Sequence, residues 1–377
     1  MKYELYIGNH RLNTGIEDYI HTVKNIFMKN NINIDTVETI SEDVDFLFII
    51  ENFIDAPKGF FQILKNKRSQ GVKLILINTE FVDKNIYFNI FSIRDLFFRR
   101  CIFADLVVKF YRLRKYIFFR IFFFLLVAFY VLLGFVMGFK FIDIKKRISF
   151  SLRDSIFSKV HSIFHHHLVF SDDLYNCLSK NPKIKNCLYL QHYFDLHLIE
   201  KFQKRELNNN LLYFTGYKTF FRKKFIRSQN SKIYNNHFYD TKVNINQYNF
   251  LKRNFIDFNL LFTDEETIGK IVEIYKKKFN VNINKFEIYI PQRYNWSYLS
   301  TMRIIRSLKN ESIPINVGIF NKSKYDKISI NVESLDFFIK NYNKIIKNYY
   351  SKLQINIEEF NFASSKAFNK FNNDIKQ

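Results

Sequence analysis

The sequence predicts an α/β fold of two successive units, each a mostly parallel sheet with helices on its faces. Short apolar runs alternate with helix-length amphipathic segments through the first hundred residues, and the same rhythm returns after about residue 209. The runs are apolar throughout rather than strictly alternating, as strands covered on both faces must be. A polar tract, FDLHLIEKFQKRELNNN at 194–210, separates the two alternations. A chain of 377 residues is long enough for two cores.

The first unit opens with YELYIG, a helical stretch around Ile16 to Asn30, DFLFII, a helical stretch around Phe60 to Gln70, and KLILINTE, which is βαβαβ. The rhythm breaks at about 90–160 and resumes with HLVFS, a helix from about Asp172, and the strand NCLYLQHY. The second unit reads LLYFTGY, the basic stretch KTFFRKKF, DFNLLF, the helix ETIGKIVEIYKKKF, FEIYIPQR, the helix SYLSTMRIIRSLKN and the strand IPINVG. From about Val332 the chain is helical and basic. The expected domains are 1–205 with an insertion at about 90–160, 209–350, and a helical or frayed tail at 351–377. Two such units imply a cleft, with chemistry at the turns after strand carboxyl ends.

The insertion holds the run Ile121–Phe139, IFFFLLVAFYVLLGFVMGF, without one charge. Its roughly nineteen residues are close to the ~20 that a helix needs to cross a hydrocarbon core. Basic residues frame it on both sides, among them Arg112, Arg114, Arg120, Lys140, Lys145 and Lys146, so charge asymmetry sets no orientation. The run is expected to touch a membrane surface, as a re-entrant or interfacial helix in preference to a full crossing. A spanning helix and a buried core helix are the alternatives. No signal peptide is visible in MKYELYIGNH, so the bulk of the protein is expected in the cytoplasm.

The net charge of +23 invites a nucleic-acid reading. The chain is equally swollen in Asn, Ile, Phe and Tyr, as an AT-rich genome would make it, and no nucleic-acid motif interleaves its basic and aromatic residues. Nucleic acid is therefore not the expected partner. Cys101, Cys177 and Cys187 have neither CxxC spacing nor an even count, which argues against a disulfide framework or a zinc site. Adjacent His165, His166 and His167 cannot all face one ion from a regular element, so no metal is expected there.

Candidate site residues follow from position. In YIPQRYNWSYLSTMRIIRSLKNESIPINVG a strand ends at Pro291, and Ser297 or Ser300 caps a helix. The free N–H groups of that helix start, with Ser300, Thr301, Arg293 and Arg303, suit a phosphate. Gly216 follows the strand LLYFT, and Lys218, Arg222, Lys223 and Lys224 come directly after it, where they can neutralise a diphosphate. In the first unit GNHRLNTG follows the first strand but lacks the GxGxxG spacing of a dinucleotide site. His10 in that loop is a candidate general base, and Glu80 and Glu51 at strand ends are carboxylate candidates. Neither a GxSxG elbow nor a P-loop is present.

Two α/β units, a glycine turn with basic residues opening the second, and a Ser-capped helix running into IPINV resemble the GT-B glycosyltransferases. The stretch STMRIIRSLKNESIPINV is similar to the place where donor phosphate meets a helix N-terminus in that family. The acidic pair of many retaining members is absent here; Arg303 and Arg306 stand inside the helix and Glu311 after it. The resemblance implies two Rossmann-like domains, a nucleotide-diphosphate sugar on Gly216, Arg222, Arg293, Ser300, Thr301 and Arg303, and an acceptor hydroxyl met by His10 or Glu80. It implies no cofactor and no metal, a lipid-linked or glycan acceptor, and a place on the cytoplasmic face of the inner membrane. A non-catalytic membrane-associated scaffold on the same fold is the alternative.

Overall fold

The computed structural model describes residues 1–8, 14–51, 59–79, 121, 125, 128, 129, 132, 160–181, 184–203, 210–215, 260–263, 268, 269, 273, 284–290, 301–318 and 323–376. The chain divides into two compact units. Met1–Phe170, Leu174–Leu190 and Phe371–Gln377 form the first, and Ser171–Asp173 with Gln191–Lys370 form the second.

The first unit holds β1 (Tyr3–Tyr6), α1 (Thr14–Lys29), β2 (Asp35–Val37), β3 (Phe46–Ile50), α2 (Phe60–Ser69), β4 (Lys73–Ile77), β5 (His166–Val169), most of α3 (Asp172–Ser179) and β6 (Cys187–Tyr189). Its sheet runs β2-β1-β3-β4-β5-β6 with every described pair parallel. Alternate residues serve opposite faces. Leu47, Ile49, Leu74 and Leu76 join Phe60 and Leu64 of α2 in one cluster. Phe46 and Phe48 point the other way, where Phe46 stacks on Tyr3 at 4.9 Å and Phe48 meets Phe27 of α1 edge-on at 5.3 Å. With both faces covered, FLFII and LILI have no water-facing position, which is why these strands read as unbroken apolar runs. Gly71 turns α2 into β4 with φ at 91°, a conformation that side chains resist.

The second unit holds α4 (His197–Gln203), β7 (Asn210–Thr215), β8 (Leu260–Thr263), β9 (Asn284–Tyr289), α5 (Thr301–Lys309), β10 (Ser312–Val317), β11 (Ile330–Val332), α6 (Leu335–Lys340) and most of α7 (Tyr342–Lys376). Its sheet order is β11-β10-β9-β7-β8, again with every described pair parallel. Met302, Ile304, Ile305 and Leu308 form the buried side of α5. Ser334 caps α6 by accepting the Phe337 N–H at 3.1 Å.

Two strands escape a reading by apolar runs. β2 and β11 are three residues each, and β2 has no fully buried residue, so no run marks them. The segment 351–377 was expected to be a helical or frayed tail; Tyr342–Lys376 is a single helix. Ile346, Tyr349, Leu353, Ile357, Phe360, Phe368, Phe371 and Ile375 recur at helical spacing and are buried, a stripe that intervening Asn and Lys residues disguise. The division between units falls at Gln191, ahead of the polar tract. Gln191 donates to the Phe360 carbonyl at 3.1 Å, and the Phe194 N–H donates to Asn361 at 2.9 Å, so the start of the tract packs on α7. Of the insertion at about 90–160, only Ile121, Leu125, Ala128, Phe129, Leu132 and Val160 are described. No helix among the described residues is long and apolar enough to cross a membrane.

Candidate functional site

In the second unit, parallel pairing of β7 with β9 sets Tyr213 against Glu287, and Thr215 ends β7 two residues further on. Glu287 is a buried carboxylate inside an apolar strand, a placement that needs partners. It has them. Thr215 Oγ1 donates to Oε1, Ser307 Oγ donates to Oε2 at 2.6 Å, and Arg306 Nη2 lies 3.4 Å from Oε1 while donating to Thr215 Oγ1 at 2.8 Å. Arg303, one turn earlier in α5, contacts the end of β7 instead. Its Nη1 donates to the Thr215 carbonyl and its guanidinium lies 5.3 Å from the Phe214 ring centroid.

The network clamps α5 to the ends of β7 and β9. It thereby places the N-terminus of α5, with its outward N–H groups, at the carboxyl end of a parallel sheet, where anions bind in such folds. Thr301, the first residue of α5, is buried, and among the described residues its hydroxyl has no hydrogen-bond partner. Of the expected donor set, Thr301 and Arg303 are thus on one helix, and Arg303 reaches the residue that precedes Gly216. Gly216, Arg222, Arg293 and Ser300 lie outside the described residues, as do His10 and Glu80.

At the carboxyl edge of the first sheet, Glu51 follows β3 and Asn78 and Thr79 follow β4. The Thr79 N–H donates to Glu51 Oε2 at 3.3 Å, and Tyr19 of α1 donates to the Thr79 carbonyl at 3.3 Å. His167 Nδ1 lies 3.0 Å from Asn78 Oδ1, and burial holds the imidazole down at about 4, so it is neutral near pH 7. Asn78 is buried, and its Nδ2 has no partner among the described residues. His165 turns away to accept the Leu74 N–H at Nδ1, 3.0 Å, so the three adjacent histidines do not converge. Among the described residues no cluster of His, Cys, Asp or Glu is arranged to hold a metal ion.

No protein-family model matches the chain, and no curated protein matches it. Among solved structures the chain is similar to apo UGT2 of Phytolacca americana over 96% of this chain and 82% of that one, at 8% identity and a TM-score of 0.37. At that overlap the likeness assigns neither residue nor ligand.

One further group escaped the sequence reading. Asp172 and Asp173 open α3 and are counted with the second unit. Asp172 accepts from Ser323 Oγ at 2.8 Å and from the Lys324 N–H at 3.0 Å, and Asp326 accepts the Ser323 N–H at 2.7 Å. Burial, then the charges of Asp172 and Asp326, push the Asp173 carboxyl up to about 7. A carboxyl that titrates near neutrality can take and return a proton. Its sequence signal is slight, because an Asp pair at a helix start reads as capping.

Proposed function

We propose that the protein is a metal-independent glycosyltransferase moving a sugar from a nucleotide-diphosphate sugar to a hydroxyl of a lipid-linked glycan acceptor. The observation that carries this reading is the N-terminus of α5 at the carboxyl end of a buried parallel sheet, with the buried hydroxyl of Thr301, which has no hydrogen-bond partner among the described residues, beside it. A leaving diphosphate needs preorganised N–H and O–H donors and positive charge. The first turn of α5, Thr301 and Arg303 supply them, and Gly216, Arg222, Arg293 and Ser300 complete the donor set. Arg306 balances Glu287, so the clamp adds no net charge that would repel the diphosphate.

In the transfer, the acceptor oxygen bonds to the anomeric carbon as the bond from that carbon to the phosphate oxygen breaks, and the nucleoside diphosphate leaves. His10 or Glu80 takes the acceptor proton. Positive charge and helix N–H groups stabilise the leaving group in this scheme, so a metal has no assigned role.

Calorimetry with UDP, GDP and ADP tests the donor site. The protein should bind one of them, and Arg293→Ala should weaken that binding roughly 5- to 100-fold, as loss of a charge-assisted hydrogen bond does. Turnover, and not diphosphate affinity, should fall in His10→Ala or Glu80→Gln. An absence of nucleotide binding would replace this reading with a non-catalytic scaffold on a transferase-like fold.

A further inference from the structure

The insertion begins and ends in one sheet. β4 and β5 are hydrogen-bonded neighbours, with Ile75, Leu76 and Ile77 paired in parallel to His166, His167 and Leu168. Residues 80–159 are therefore a crossover between adjacent strands. Such a crossover needs about a dozen residues, so this one carries far more chain than the connection requires.

Five positions of its uncharged run are described: Ile121, Leu125, Ala128, Phe129 and Leu132. All are helical and all are exposed, and their spacing of three and four residues puts them on one face. The large ones expose 57% at Ile121, 62% at Leu125, 55% at Phe129 and 64% at Leu132. Apolar residues exposed singly are ordinary; a continuous stripe marks a surface that something else covers.

Charge selects the cover. No Asp or Glu occurs from Leu106 to Ile142, while Arg114, Lys115 and Arg120 lead into the run and Lys140, Lys145 and Lys146 follow it. Two copies of the chain meeting through this stripe would bring like charges together. A leaflet with anionic headgroups offers hydrocarbon to the stripe and negative charge to both flanks.

We infer that the crossover between β4 and β5 is a membrane anchor that enters and leaves an anionic bilayer on one side. The pairing of β4 with β5 sets the sidedness. Between residues 80 and 159 only Ile121–Phe139 is long enough and free of charge to cross, and a single crossing would leave β5 on the opposite side from β4. The stripe therefore lies in or dips into one leaflet. This inference is independent of the donor site, and it supplies a reason for an acceptor that is itself held in a bilayer.

Co-sedimentation of the full chain with phosphatidylcholine vesicles, with and without phosphatidylglycerol, tests it. Binding should be strong to the anionic vesicles, weaker to the neutral ones, and reduced by salt. Leu125→Asp with Phe129→Asp should lower partitioning at least 10-fold. Phe362→Asp, at another exposed apolar position on α7, should leave it unchanged and serves as the control for folding. Lys145→Ala and Lys146→Ala should each reduce binding to anionic vesicles roughly 5-fold and barely alter binding to neutral ones. On vesicles loaded from outside, trypsin should reach both basic flanks. The inference is overturned if the wild-type chain binds neither vesicle, if the aspartate pair binds as the wild type does, or if one flank is protected. It is equally overturned if the chain is a dimer without lipid that the aspartate pair converts to a monomer. Nucleotide binding intact in a chain that ignores vesicles would refute the anchor and leave the donor site standing.

Discussion

Each sheet buries polar groups, and one cluster from each makes a contrast. In the first, which also buries Glu4 beside Lys2, His167 meets Asn78 as a neutral pair; in the second, which also buries neutral pairs such as Asn284 with Asn210, Glu287 meets Arg306 and two hydroxyls. A neutral pair is inexpensive to bury but open to acid, because the imidazole can be charged. An ionic pair forfeits much of its attraction to desolvation, yet removing one partner strands a charge. The ionic design is at the sheet end where an anion would dock, and it holds a helix N-terminus in place there.

The sharpest way to break this contrast is Glu287→Ala. It removes the partner of Arg306 and of two hydroxyls, and should cost about 3–5 kcal/mol, read from urea unfolding and from loss of amide protection in β7 and β9. Protection in β3 and β4 should change less. If both sheets loosen equally, the clamp does not belong to the second unit alone.

Acid should weaken both units, the first through His167 and the second through His192, which burial holds down at about 3. The imidazole of His167 is held at about 4, below its ordinary 6.5, so folding favours the neutral form. Stability that is present above pH 6.5 is then lost as pH falls from 6.5 to about 4, on the order of 3 kcal/mol. Hydrogen exchange across that window should loosen β4 and β5, and His167→Gln should flatten the dependence.

Asp173 supplies an opposite and smaller slope in the second unit. Its carboxyl is held up at about 7, so folding favours the protonated form; the advantage is complete below pH 3.8 and is lost as pH rises to about 7. Asp173→Asn should therefore raise stability at pH 8, by about 1–2 kcal/mol once partial solvent screening is allowed for, and make little difference at pH 3.5. The smallest effect on folding is expected from Thr301→Val. Its change in unfolding free energy should stay within about 0.5 kcal/mol, because the hydroxyl makes no bond among the described residues, while nucleoside diphosphate affinity falls about 2- to 10-fold.

The parallel sheets were legible because covered strands must be apolar along their length, as FLFII, LILI and LLYF are. The edge strands β2 and β11 were not, since DTV and INV are too short to show a period. α5 was legible from its apolar face, and Thr301 and Arg303 lie on that helix. Glu287 went unnoticed although a carboxylate inside FEIYI is visible, because its partner Thr215 is 72 residues away and is brought near only by the pairing of β7 with β9. Asn78 and His167, 89 residues apart, are joined in the same way by the neighbouring β4 and β5. Position along a strand can be read from sequence; lateral order within a sheet cannot.

The far end of α7 has a bearing on biogenesis. Phe371 lies 6.0 Å from Phe27 and 6.3 Å from Phe48, and Ile375 is fully buried, so the first unit takes part of its core from residues made long after its strands. At a synthesis rate of ~5–20 residues per second, the nascent chain waits roughly 10 to 40 seconds between Leu190 and Phe371. Throughout that interval the aromatic face of Phe27 and Phe48 lacks its final cover. It is then a surface for chaperones to hold, and the fold around Phe27 and Phe48 is sealed only once Phe371 has left the ribosome.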